Sequence, residues 1–382
     1  MKYTLLGAGM MGSACAKYLV RWNDTDKLII IEKNEKVSSK LKETLSDNRA
    51  EWLITEIKTD DRFIDIISGS DVVISALPYR LNLDLTKACI RAGVNMCDMG
   101  GNNDVVMSQL ALNNEAVSAG ITIVPDCGLA PGLANIIAGK LISTFDRCDE
   151  VHIRVGGLPK KPVPPFNYQL VFSVSGLVNE YVEPCKVLRV GKIEWVESLS
   201  EIEELNFGGS YGCLEAFHTS GGSSTLPETY QGIVKELDYK TIRYKGHCHL
   251  IRGLKFLGLA DDKDRQIGFQ TFSPGKVLES LLEDYLPREG KDVCLVYAWA
   301  DGEKGSERKK VECKFEIEPN TVMGLSAMMV GTSLPTVLVA RFLAEGKVLI
   351  KGVKTPELAI PIEEYINLFR KESDINIDFN WA

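Results

Sequence analysis

Apolar residues along the chain change their spacing twice. From residue 1 to about 125, short unbroken apolar runs alternate with stretches of helical period. The runs predict strands at 2–6, 28–32, 52–57, 71–76, 94–97 and 121–125, and the periodic stretches predict helices at 11–22, 35–47, 61–68, 82–92 and 105–119. Unbroken apolar strands separated by helices are buried on both faces, which is the mark of a parallel sheet with helices on each side.

After Pro125 the spacing becomes alternating, as in Val151-His152-Ile153-Arg154-Val155, Lys240-Thr241-Ile242-Arg243-Tyr244 and Val293-Cys294-Leu295-Val296-Tyr297. Such runs predict a mainly antiparallel sheet with one face covered by helices such as 275–286. The charged stretch 301–311 reads as an exposed hairpin tip. From Met323 to Phe342 the chain turns helical again, too apolar and too rich in small residues for a surface. The expected class is therefore α/β: a doubly wound parallel sheet over 1–125, an α+β part over 126–322, and a helical segment over 323–382 that returns to the first part.

The first strand runs into Gly7-Ala8-Gly9-Met10-Met11-Gly12, and the second ends on Glu32. Strand, G-x-G-x-x-G, helix, strand and acid together form the Rossmann dinucleotide fingerprint. Gly7 serves the tight turn, Gly9 the approach of the pyrophosphate, and Gly12 the packing of helix on strand. Met10 and Met11 open the helix whose N-terminus faces the phosphates. Glu32 stands where a carboxylate holds the adenosine ribose hydroxyls and repels a 2′-phosphate, so NAD is expected, while Lys33 beside it leaves NADP open. Asp60 follows the third strand, where a side chain reaches the adenine, and Ala76 and Leu77 flank the nicotinamide ribose.

A net charge of −8 over 382 residues argues against a nucleic-acid partner. No apolar run approaches the ~20 residues of a membrane helix, and the N-terminus reads as a core strand, so a cytoplasmic protein is expected. Ten cysteines stand singly, without a C-x-x-C pair, and predict reduced thiols. His247-Cys248-His249, read as a strand, turns only its two histidines to one face, and no metal site is expected.

The segments Ala76-Leu77-Pro78-Tyr79, Asp98-Met99-Gly100-Gly101, Pro125-Asp126-Cys127-Gly128-Leu129-Ala130-Pro131-Gly132, Val155-Gly156-Gly157-Leu158-Pro159, Glu215–Gly222 and Tyr239–His247 resemble the saccharopine dehydrogenase-like superfamily, most closely its L-lysine 6-dehydrogenases. The resemblance implies a Rossmann domain, a central α+β substrate domain, a C-terminal segment returning to the first, and homodimers built by pairing sheets of the second domains. It implies oxidation of lysine's ε-amine by NAD, giving 2-aminoadipate 6-semialdehyde and ammonia. Saccharopine-forming relatives carry an arginine in the segment matching Glu215–Gly222, and an acid where Ala130 stands here. Both departures point to a small amino-acid substrate. The alternatives are a saccharopine or carboxynorspermidine dehydrogenase using NADP(H), and a non-catalytic NADH sensor.

Oxidising an amine requires it to be neutral, although lysine's ε-amine has a pKa of about 10.4, so a base or desolvation must remove its proton. Asp98 and Asp126 follow the fifth and sixth strands at the ligand-binding edge of the sheet, and each is equally read as a helix cap or turn former. Tyr79, in the loop that the family places near the nicotinamide, and His218, of suitable intrinsic pKa, complete the proton-transfer candidates. Thr219, Ser220 and Gly221 form a polar loop for a substrate carboxylate, and Arg243 is the candidate cation for it. Each has its bland reading: a core aromatic for Tyr79, a satisfied histidine for His218, a surface ion pair for Arg243.

Overall fold

A computed structural model describes residues 1–381. They fall into two compact units, one of Met1–Lys140, Thr321–Leu325 and Met329–Ile377, the other of Leu141–Asn320, Ser326–Met328 and Asp378–Ala382.

The first unit is built on strands β1 (Lys2–Leu6), β2 (Lys27–Glu32), β3 (Ala50–Ile54), β4 (Val72–Ser75), β5 (Asn95–Asp98) and β6 (Thr122–Val124). Their spatial order is β6-β5-β4-β1-β2-β3, with Gly352–Val353 added beyond β6. Every pairing is parallel. This is the Rossmann order, which reverses between β1 and β4; ligands of such sheets lie outside the carboxyl ends at that point. The strands that read as continuous apolar runs are buried, as in Val72–Ser75 and, within Lys27–Glu32, Leu28, Ile30 and Ile31. The expected helix over 105–119 is two, Asn103–Leu110 and Asn113–Ser118, parted at Ala111-Leu112. Asn102 caps the first by accepting from the Val105 N–H.

Helix Ala327–Ala344 has 18 residues of mean hydropathy 1.5, and length and composition alone would let it cross a membrane. Burial of 78% of it inside the protein makes it a core helix, which explains its apolar, small-residue composition.

The second unit carries a nine-stranded mixed sheet. Its centre is Arg147–Pro159, flanked antiparallel by Asp292–Lys304 and parallel by Glu236–Tyr244. The expected hairpin over 301–311 is the tip of two long strands, Asp292–Lys304 and Glu307–Ile317. A further element departs from the sequence reading: His247–Phe256 is a helix, not a strand. Gly246, at φ +96°, turns the chain into it, and Glu215 caps it by accepting from the N–H groups of Gly246 and Cys248. His247 is buried and His249 exposed, and among the described residues no cluster could hold a metal ion.

Candidate active site

The glycine turn has the geometry that its sequence asks for. Gly7 lies at φ +91°, and a Cβ on Gly12 would stand 2.0 Å from the Gly7 carbonyl oxygen, so any side chain there would part helix from strand. A Cβ on Gly9 would meet nothing within 4 Å, which leaves open the side from which a phosphate approaches. Gly9 is the N-cap of helix Met10–Arg21, with no side-chain cap and no acid in the first turn. The N–H groups of Met10 and Met11 therefore lack intrahelical partners, a natural anion site. Ala76 and Leu77 face the same turn, each 3.0 Å from a Cβ built on Gly7.

Glu32 ends β2 beside this turn. Its Oε2 accepts from the Ala8 N–H and its Oε1 from the Asn34 N–H, both at 2.8 Å. Each oxygen keeps a further lone pair, so the side chain is oriented without being saturated. Asp60 is occupied by its own chain: it caps helix Asp61–Ile67, accepting from the Phe63 N–H at 3.0 Å. These residues fit a dinucleotide, with Asp60 in the lesser part.

Three proton-transfer candidates meet on the loop after β5. Asp98 is fully buried; it accepts from the Gly100 N–H at 2.8 Å, the Asp126 N–H at 3.3 Å and Gln109 Nε2 at 2.8 Å. Burial raises its pKa, and these three donors pull the other way. Asp126, also buried, holds φ +61°, a conformation rare for any residue with a side chain. Its Oδ1 lies 1.8 Å from where a Cβ on Gly100 would be, and the Tyr79 ring lies 3.1 Å from a Cβ on Gly101. Both glycines have positive φ, so the Met99-Gly100-Gly101 loop brings main chain against both groups. Cys97 and Cys127 beside the aspartates are buried, and burial raises the Cys127 thiol far above its ordinary value, which suits an inert thiol.

In the second unit His218 is fully buried between the Tyr239 carbonyl, 3.1 Å from Nδ1, and Glu201 Oε2, 3.2 Å from Nε2. Burial lowers its pKa. Both ring nitrogens are occupied, the bonding of a satisfied histidine. The loop that follows is tied down at each step. Thr219 and Thr241 share a hydroxyl hydrogen bond of 2.6 Å, and the Ser220 N–H donates to the Glu180 carbonyl at 3.0 Å. Gly221 has φ +87°, and a Cβ on Gly222 would lie 2.1 Å from the Tyr239 ring.

Arg243 is buried, not a sheet-surface ion pair. Nε donates to Tyr181 Oη at 3.1 Å, and the guanidinium carbon lies 5.0 Å from the centre of the Tyr168 ring. Tyr181 passes the chain on to His247 Nε2 at 2.9 Å, while His247 Nδ1 lies 2.8 Å from the Phe166 carbonyl. A carbonyl only accepts, which places the imidazole proton on Nδ1 and makes Nε2 the acceptor. Burial and the Arg243 charge hold the His247 pKa down at about 3, so the ring is neutral.

Residues 4–124 match the saccharopine dehydrogenase NADP binding domain and residues 128–374 the saccharopine dehydrogenase C-terminal domain. The mitochondrial alpha-aminoadipic semialdehyde synthase of Rattus norvegicus is 26% identical over 273 residues, 68% of this chain and 28% of that protein. The saccharopine dehydrogenase [NADP(+), L-glutamate-forming] of Saccharomyces cerevisiae is 28% identical over 248 residues, 60% of this chain and 52% of that one. The chain thus matches between about a quarter and a half of the length of these curated relatives. Among solved structures, the apo saccharopine dehydrogenase (L-Glu forming) of Saccharomyces cerevisiae superposes with a TM-score of 0.81 at 18% identity, covering 100% of this chain and 99% of that one. The homospermidine synthase of Legionella pneumophila in complex with NAD gives 0.67 at 11% identity, covering 100% and 91%. At these identities the two structures establish the fold.

Proposed function

The chain belongs to the saccharopine dehydrogenase family, and on that premise we propose that it is an NAD(P)-dependent oxidoreductase acting on the amine-bearing carbon of lysine or a lysine-derived amino acid. The finer reading is oxidative deamination of free L-lysine with NAD. L-Lysine, NAD+ and water give 2-aminoadipate 6-semialdehyde, ammonium, NADH and a proton.

One observation carries the choice of a small substrate. Among the described residues, Arg154, Lys240 and Arg243 are the buried lysines and arginines of the second unit. Arg154 is neutralised by Glu203 and Asp238, and Lys240 by Glu203. Only Arg243 stands clear of a close carboxylate, its Nη2 lying 3.8 Å from Glu180 Oε2. One available buried cation suits one α-carboxylate, whereas saccharopine, with its extra glutamyl carboxylates, would ask for more.

In this reading the first unit binds the cofactor and moves protons. Bound NAD+ supplies the hydride acceptor. Asp126 takes a proton from the ε-ammonium, or from the water that attacks the imine, and the buried Asp98 orients it through the Asp126 N–H. Tyr79 packs beside them. Within the second unit, Arg243 and the Thr219–Gly221 loop are the groups suited to an α-carboxylate. His218, with both nitrogens engaged, supports that loop.

The curated relatives favour a second reading, saccharopine oxidation with NADP. The deciding experiment follows reduced-cofactor absorbance on purified protein in two arms, NAD with L-lysine and NADP with saccharopine. Turnover in the first arm alone is expected; turnover in the second alone would replace the lysine reading. With the active amine, Glu32→Arg is expected to move kcat/KM from NAD towards NADP, and unchanged selectivity would remove Glu32 from the ribose.

A further inference from the structure

The carboxylate that stands 3.8 Å from Arg243 has no part in the site derived so far. Glu180 lies near the C-terminal end of helix Val174–Val182. The loop of Thr219–Gly221 is fastened to that same stretch, since the Ser220 N–H donates to the Glu180 carbonyl and the Ser220 hydroxyl to the Asn179 carbonyl at 3.2 Å. Helix end, polar loop and Arg243 are therefore a single local assembly within one unit.

Its charges are arranged unusually. At 3.8 Å the Glu180 and Arg243 groups are beyond hydrogen-bond range, so the pair attracts without closing. Arg243 is held in place by other groups: Nε donates to Tyr181 Oη and Nη1 to the Ile242 carbonyl at 3.0 Å. A closed bidentate pair would have satisfied both charges and left nothing for a ligand. In addition, Tyr168, whose ring centre lies 5.0 Å from the Arg243 guanidinium carbon, has a buried hydroxyl with no hydrogen-bond partner among the described residues. A buried polar atom left unpaired costs about 1–3 kcal/mol and asks for an explanation.

We propose that Glu180, Arg243 and Tyr168 form a receptor for the zwitterionic head of an α-amino acid. Arg243 and the Tyr168 hydroxyl take the α-carboxylate, and Glu180 takes the α-ammonium. A head group presents opposite charges on neighbouring atoms, and the assembly offers a cation and an anion side by side but unjoined. This assignment rests on the amino-acid reading of the previous section and narrows it: the substrate must keep a free α-amine.

Facing Glu180 are Arg243 and Tyr239 from one strand, Tyr168 from the loop before its helix, Cys185 from the strand after it, and Tyr181 beside it. Burial raises the Glu180 carboxyl to about 7 against the pull of Arg243. Below that pH the free enzyme loses its anion, so KM for an α-amino acid rises while kcat holds.

The test compares L-lysine with 6-aminohexanoate, which keeps the reacting amine and the carboxylate but has no α-ammonium. Wild type is expected to prefer L-lysine. Glu180→Gln is expected to raise KM for L-lysine about tenfold to a hundredfold, leave kcat nearly unchanged, abolish the acid rise in KM, and leave 6-aminohexanoate unaffected. Glu180→Asp, which keeps the charge, should recover part of the loss. Equal losses with both substrates, or an unchanged KM for L-lysine, would overturn the proposal. If wild type oxidises neither amine, thermal stabilisation of the NAD-saturated protein decides. Stabilisation by L-lysine and not by 6-aminohexanoate, lost in Glu180→Gln, would sink the reaction and keep the receptor. No stabilisation by either would overturn both.

Discussion

Asp126 occupies the left-handed region of backbone space, where a side chain persists only if its surroundings hold it. Here Asp98 accepts the Asp126 N–H, and Gly100 provides the room that the carboxylate fills. Two substitutions separate charge from room. Asp126→Asn removes the proposed base and should lower kcat about 10²-fold. Gly100→Ala should lower kcat to a similar extent, because its Cβ would fall 1.8 Å from Asp126 Oδ1 and its φ of +70° resists a side chain. In both variants the Kd for NADH, read by fluorescence titration, should stay at the wild-type value; weakened NADH binding would mean that the loop serves the cofactor instead. The sequence singles out both aspartates as candidates because each follows an apolar run read as a strand. Glu180 was not: it sits in an ordinary amphipathic turn, and only tertiary structure sets it beside an arginine far along the chain. Tyr168 and Gln109 were illegible for the same reason.

At the scale of elements, apolar runs marked the central parallel strands because both faces are buried there, whereas the largely exposed edge strand Ala50–Ile54 begins two residues before the run that predicts it. His247-Cys248-His249 misled because alternation of polar and apolar residues over three positions fits a strand and a helix turn equally. What makes it a helix is the left-handed Gly246 and the Glu215 carboxylate from another strand, and only the first is local. The start of helix Ala327–Ala344 depends on a distant cap in the same way. Asp292 is buried and accepts from the N–H groups of Ala327 and Met328 at 2.7 and 2.9 Å. Asp292→Ala should therefore destabilise the protein by about 1–3 kcal/mol, since two buried donors lose a charged acceptor. Thermal melting of the variant checks this; an unchanged Tm would mean that solvent replaces the cap.

For the molecule as a whole, burial of a neutral histidine sets an acid limit on stability. His247 titrates at about 3 in the folded protein and near 6.5 when unfolded. Above the unfolded value neither state binds the proton, and the group contributes nothing to pH dependence. As pH falls from about 6.5 towards 3, the unfolded chain gains a proton that the folded one refuses, and stability drops by up to about 1.4 kcal/mol per pH unit. His247→Gln should flatten the fall in Tm between pH 6.5 and 5. An identical slope in the variant would assign the acid sensitivity elsewhere.

Both sheets also receive an outer strand from late in the chain: Gly352–Val353 pairs with Thr122–Ile123, and Phe379–Trp381 pairs with Val311–Cys313. During translation at about 5–20 residues per second, the β6 edge emerges and then waits on the order of ten to fifty seconds for its neighbour. An uncovered strand edge is a template for pairing with other chains. Over that interval the nascent polypeptide presents a sticky border that Gly352–Val353 later covers.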